Sequence, residues 1–197
     1  ILNGVWSGRA DGGGGRVLGH PASLPSGWMQ RTGLLIGPNV DLSNTKLSGE
    51  DLSNANLSGV NVTNAEIDGV TLSGIRSGGV TGTPASLPAH WQITSGYLIG
   101  PGADLASATL SNANLRNADL TNTNLAGADL TGATLFGVQS GGITGTPHAL
   151  PTAGPNGNAQ WQLIDGYLIG PGADLTGASL TDSNLNNTDL VLSLIHI

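Results

Sequence analysis

Residues 103–137 read ADLAS ATLSN ANLRN ADLTN TNLAG ADLTG ATLFG, and their division into fives decides the fold. Leu105, Leu110, Leu115, Leu120, Leu125, Leu130 and Leu135 fall at the centre of successive groups. A helix brings apolar side chains to one face every 3.6 residues and a half-buried strand every 2, so a sustained period of five suits neither. The backbone must instead turn once per group. Two or three extended residues and a corner, four times over, close a square coil of about 20 residues, and stacked coils lie about 4.8 Å apart, the spacing of paired strands. Backbone hydrogen bonds then run from coil to coil, and every central residue points inward.

The reading extends in both directions. From Val40 the groups VDLSN, TKLSG, EDLSN, ANLSG, VNVTN, AEIDG and VTLSG place Leu42, Leu47, Leu52, Leu57, Val62, Ile67 and Leu72 at the centre, and Leu175, Leu180, Leu185 and Leu190 mark a third tract. All 18 central residues are aliphatic and 16 are leucine, so one register holds throughout. Two places before the centre an inner corner should admit only a small group, as at Ala55, Ala65, Ala108, Ala113, Ala118, Ala128 and Ala133. Two places after it, Asn44, Gly49, Asn54, Gly59, Asn112 and Gly127 suit a left-handed corner. The residues flanking the centre, largely Asp, Asn, Ser and Thr, should face water.

A second, longer period encloses the first: Trp28 maps onto Trp91, GLLIGP at 33–38 onto GYLIGP at 96–101, and GGVTGTP from Gly78 recurs as GGITGTP from Gly141. The third such element, GYLIGP from Gly166, arrives later than this period requires because seven extra residues near Thr152 to Asn158 lengthen a surface loop. The chain thus divides into pentad tracts 40–74, 103–137 and 173–190 and connectors 8–39, 75–102 and 138–172, expected to form one solenoid over 1–197. Val80 and Ile143 continue the inward register, and WQIT, SG, YLIG reads as strand, turn, strand, so each connector should add about one coil plus an excursion. Trp91 and Trp161 read as lids over the coil edge beside LP and GYLIGP. LNGVWSG at 2–8 matches LSGIRSG at 72–78, which points to an earlier tract upstream, and residues 192–197 resemble translated sequencing-adapter read-through.

The groups ADLAS, ANLRN, ADLTN, ADLTG and ANLSG resemble the pentapeptide-repeat family, A(D/N)LXX. That resemblance implies an all-β, right-handed quadrilateral parallel β-helix, normally bacterial. Departures are Thr45 and Glu50 at the small inward position, Val62 and Ile67 at the centre, and the connectors.

Composition narrows the chemistry. Six Lys and Arg against 13 Asp and Glu give a net charge of −7, which argues against direct binding to nucleic acid or anionic lipid. There is no cysteine, hence no disulfide or thiolate site, and no apolar run long enough to span a membrane. Twenty-residue coils place Asp104 under Asn124, Thr109 under Asp129 and Asp51 beside Thr71, which builds no carboxylate pair for general acid–base work. His20, His90 and His148 align with Thr83, Gly27 and Ala85, so no ligand set repeats, and His196 lies in the tail. Gly12 to Gly15 lack the GK(S/T) of a phosphate loop, and Asn56, Asn61 and Asn186 fit glycosylation sequons that such a composition produces by chance.

No catalytic, cofactor-binding or metal residue is therefore assigned. The expectation is a non-enzymatic structural or protein-interaction solenoid, a scaffold, spacer or surface protein, whose partner is another protein or a surface. Sparse Lys and abundant Ser, Thr, Asn and Gly lean toward an exported or cell-surface bacterial protein. One alternative is an acidic DNA mimic that inhibits a topoisomerase. Another is ice or crystal-surface binding through Ser43, Ser48, Ser53, Ser58 and Thr63, although Arg116, Ala126 and Phe136 break the equivalent set.

Overall fold

The computed structural model describes residues 23–31, 33–152 and 161–194, and it divides into two compact units, 1–98 and 99–197. The described residues contain no helix. Each unit is a stack of coils joined by parallel bridges that link equivalent positions of successive turns. In the first, four columns run Asp41–Asn61–Thr81, Lys46–Glu66–Ser86, Asp51–Thr71 and Asn56–Arg76. In the second they run Asp104–Asn124–Thr144, Thr109–Asp129–Ala149, Asn114–Thr134 and Asp119–Gln139–Asp174–Leu194. Four columns per turn are what a period of five produces when every group makes one side of a coil.

One interior repeat shows how the chain satisfies itself. The N–H of Asn61 donates to the Val40 carbonyl of the coil below at 3.2 Å, while those of Val62 and Asn64 donate to Thr81 and Thr83 of the coil above at 2.9 and 2.8 Å. Ala65 N–H closes the corner onto Val62 O at 2.9 Å, and Thr63 N–H donates to the Asn61 side-chain oxygen at 3.1 Å. All five donors of the repeat are used, which a buried backbone requires. The 124–128 repeat makes the same five bonds.

The corners turn because the residue two places after the centre adopts positive φ: Asn44 at 57°, Gly49 at 78°, Asn54 at 62°, Asn112 at 59° and Gly127 at 68°. With the three-residue bond from Thr45 N–H to Leu42 O, this is a type II turn, whose third residue favours Gly or Asn.

The central side chains fill the coils. Leu110, Leu115, Leu120, Leu125 and Leu130 are completely covered, each burial stabilising by about 1.5–3 kcal/mol. Leu180, Leu185 and Leu190, in a coil with a neighbour on one side among the described residues, are half-buried. The position two before the centre is less restrictive than expected. Val40, Val60, Val70, Ile75 and Val138 are buried there beside the alanines, because the corner interior has room for branched side chains. Thr45 and Thr123 are buried there too, their hydroxyls donating to Leu42 O at 2.6 Å and Leu120 O at 2.8 Å. Glu50 is half-buried and keeps the corner bond to Leu47 O at 2.9 Å, so its size does not break the turn.

The connectors carry the coil onward before leaving it. Thr81 and Ser86 pair with Asn61 and Glu66 in the first unit, Thr144 and Ala149 with Asn124 and Asp129 in the second, and Val80 and Ile143 are buried. Asp174 then stacks directly on Gln139, so the stretch between them, longer than a regular coil, is accommodated as an excursion. Two-stranded ribbons occupy these stretches: β1 (Met29–Arg31) pairs antiparallel with β2 (Leu34–Ile36), β3 (Gln92–Thr94) lies beside β4 (Tyr97–Ile99), and β5 (Gln162–Ile164) pairs antiparallel with β6 (Tyr167–Ile169). Ser95 and Gly96, at φ 52° and 76°, and Asp165 and Gly166, at 49° and 80°, make two-residue hairpin turns. Trp28 and Trp161 lie so close over Gly37 and Gly170 that any added Cβ would meet the indole. In these two copies of LIGP the glycine is the seat of a tryptophan.

Candidate interaction surface

Where the residue before a centre is Asp or Asn, it has a duty that reading it as merely solvated missed. Its side-chain oxygen accepts the N–H two residues on: Asp41 from Ser43 at 2.9 Å, Asp51 from Ser53 at 2.9 Å, Asn56 from Ser58 at 3.0 Å, Asp119 from Thr121 at 2.9 Å and Asp174 from Thr176 at 3.0 Å. Asp and Asn present the same oxygen at the same reach, so the fold does not discriminate between them. Their interchange along the sequence fits this bond but fits a side chain facing water equally well, so it does not by itself signal the cap. The sequon residues Asn56 and Asn61 both serve as such caps, whereas Asn186 is exposed.

Columns of outward side chains form the faces. Asp104 and Asn124 do stack, Asn124 Nδ2 donating to Asp104 Oδ1 at 2.9 Å, as do Thr109 over Asp129 and Asp51 over Thr71. Other rungs are Asn64 Nδ2 to Asn44 Oδ1 at 3.3 Å, Gln139 Nε2 to Asp174 Oδ2 at 3.3 Å and the exposed Lys46–Glu66 pair at 3.4 Å. Such exposed rungs contribute little to stability individually.

Hydroxyls on neighbouring coils collect around certain carboxylates. Asp68 accepts from Ser86 Oγ at 2.7 Å and from Ser48 Oγ at 2.8 Å, tying three successive coils. Both bonds hold its carboxyl below the ordinary range, that from Ser86 contributing most. Asp129 accepts from Ser111 Oγ at 2.6 Å, Thr131 Oγ1 at 2.6 Å and Thr131 N–H at 2.9 Å. Its pKa is lowered to about 2, first by Ser111 and then by Thr131, with a smaller contribution from the charge of His148. Asp51 is lowered by the hydroxyl and N–H of Ser53, with Arg31 assisting. These are ionised acceptors, not proton donors poised near neutrality.

The histidines have separate settings. His90 takes a left-handed conformation at φ 66° shortly before β3, and exposed His148 donates its N–H to Ala128 O at 2.8 Å beside Asp129. His20, His196, Gly12 to Gly15 and most of the seven-residue insertion lie outside the described residues. Among the described residues no group of three or more His, Asp or Glu side chains gathers as a cation would require. The hydroxyl row is broken as its sequence suggests, since Arg116 stacks on the Phe136 ring, 4.6 Å from its centroid.

The pentapeptide-repeat family model matches residues 39–74, 102–137 and 171–193, in eight copies. Among solved structures the chain is similar to HetL, a pentapeptide repeat protein involved in heterocyst differentiation regulation from the cyanobacterium Nostoc sp. strain PCC 7120. The two are 29% identical over 56% of this chain and 43% of HetL, with a TM-score of 0.24. The chain thus spans less than half of HetL's length. No curated protein matches.

Proposed function

We propose that this chain, which belongs to the pentapeptide-repeat family, is a non-enzymatic scaffold whose units are right-handed quadrilateral parallel β-helices that hold a protein or surface partner against their side faces. The observation that carries the reading is how the polar groups are used. Asp or Asn, where it precedes a centre, caps the backbone, and Asp68 and Asp129 are held ionised by hydroxyls, those of Ser48, Ser86 and Ser111 reaching from adjacent coils. Such groups fasten a scaffold rather than exchange protons with a substrate.

Faces built this way mix chemistries. The columns Asp104–Asn124–Thr144 and Thr109–Asp129–Ala149 each carry a single charged rung among neutral ones, which supports a general interaction surface over a phosphate-like row of a DNA mimic. The test is turnover against polysaccharide, ester and phosphoester substrates. The expected result is none above background. A hydrolysis rate abolished by one point substitution would overturn the scaffold reading.

A further inference from the structure

The second unit carries an apolar stripe that the first lacks. Residues three before the bridge positions 119, 139, 174 and 194 stack as Arg116, Phe136, Pro171 and Val191, a register confirmed by the Gly137 N–H to Gly172 O bond at 2.7 Å and Gly172 N–H to Val191 O at 2.9 Å. One long period earlier, the equivalents of Arg116 and Phe136 are Ser53 and Ser73, so the corresponding face of the first unit is hydroxylic. Phe136 and Val191 are among the few large apolar side chains left exposed, at 38% and 48%. Trp161 and Pro151 stand alongside the stripe and close one wall of a groove of about 410 Å³.

Of the side chains lining this groove only Arg116 and Thr134 are polar. A sugar or nucleotide, with many hydroxyls or several phosphates to satisfy, would find too few partners. Arg116 is exposed, lies on the Phe136 ring and has no carboxylate partner among the described residues. It is therefore a preoriented cation with free donors on a chain of net charge −7. Four rungs about 4.8 Å apart extend about 14 Å, the length of roughly four residues of extended peptide.

We propose that this groove docks an extended apolar peptide of a partner protein, its side chains on the exposed Phe136 and Val191, above the buried Pro171 and Trp161, and a carboxylate at one end on Arg116. Aromatic and arginine anchors are what interface cores favour. This rests on the scaffold reading and gives that partner its chemistry.

The test is amide chemical-shift titration of the whole chain with a pool of acetylated tetrapeptides. Each carries Asp or Glu at one end and Leu, Phe, Pro or Val elsewhere; a matched pool replaces the acid with Asn or Gln. Saturable shifts are expected at Gly132, Thr134 and Phe136, at least tenfold weaker for the amide pool and for Arg116→Gln. Phe136→Ser, which installs the residue the first unit carries, should abolish them while the remaining spectrum stays folded. No shifts at millimolar peptide, equal shifts from both pools, or equal shifts from decanoate alone would overturn the proposal. Those outcomes leave the scaffold reading standing, since that reading falls only on turnover.

Discussion

Asn56 illustrates what a single side chain does for a repeat. Its oxygen caps Ser58 N–H at 3.0 Å on the column it shares with Arg76. Asn56→Ala should cost about 1 kcal/mol because a half-buried donor loses its acceptor, whereas Asn56→Asp should be neutral or slightly stabilising; urea denaturation of the two variants checks the difference. At Asp129 the folded pKa of about 2 lies below the ordinary 3.8. Its ionised form therefore stabilises the fold above about pH 4, and that contribution disappears as pH falls through 2. The Asp129 carboxyl carbon should titrate near pH 2 by NMR, and Asp129→Asn should lose stability less steeply than the parent between pH 4 and 2. The central leucines and corner asparagines were legible from the sequence because each obeys a period and a conformational rule. The caps were not: an Asp bonded to its own backbone and an Asp facing water leave the same trace in sequence. The hydroxyl clamps on Asp68 and Asp129 were illegible too, because they join Ser48, Ser86 and Ser111 from neighbouring coils at positions that read as ordinary polar surface.

At the scale of the turn, glycines that share a backbone angle differ in surroundings. Gly49, at φ 78°, has nothing within 4 Å of an added Cβ, so Gly49→Ala should cost only the left-handed strain, about 1 kcal/mol. Gly145, at φ 72°, has Ala126 backbone atoms 2.7 Å from that Cβ, which cannot move without shifting the coil below. Gly145→Ala should therefore cost about 2–4 kcal/mol, and denaturation midpoints compared with Gly49→Ala separate crowding from strain. The hairpin turns were readable in SG, and so was the placement of Trp161 beside GYLIGP, while the choice of Gly170 as its seat was not, because nothing local to LIGP singles out that residue. Expecting only small residues at inner corners failed for a related reason: Ile75 and Val138 find space through the coils stacked on them, which a five-residue window does not contain.

Across a whole unit, stability is shared between neighbours rather than owned by a tract. The N–H groups of Leu120, Asn122, Leu125, Gly127 and Leu130 donate to Gln139, Gly141, Thr144, Thr146 and Ala149, all in the following connector. A peptide of residues 103–137 alone should consequently show no β-type circular dichroism. Leu120→Ala should cost the intact chain about 2–5 kcal/mol, and about half that is expected for Leu185→Ala, whose side chain is only half-buried. Equilibrium unfolding of both variants distinguishes the two sites. The five-donor arrangement has one further consequence. In the 61–65 repeat the lone side-chain group demanded by the main chain is the Asn61 oxygen, so the side chain of Thr63, just past the centre, is exempt from holding the backbone. Where that position is not drawn into a carboxylate clamp, as Ser48, Ser111 and Thr131 are, the pentad offers one blank peg on a rigid board, and new chemistry can be written there, by evolution or by design, without redrawing the board.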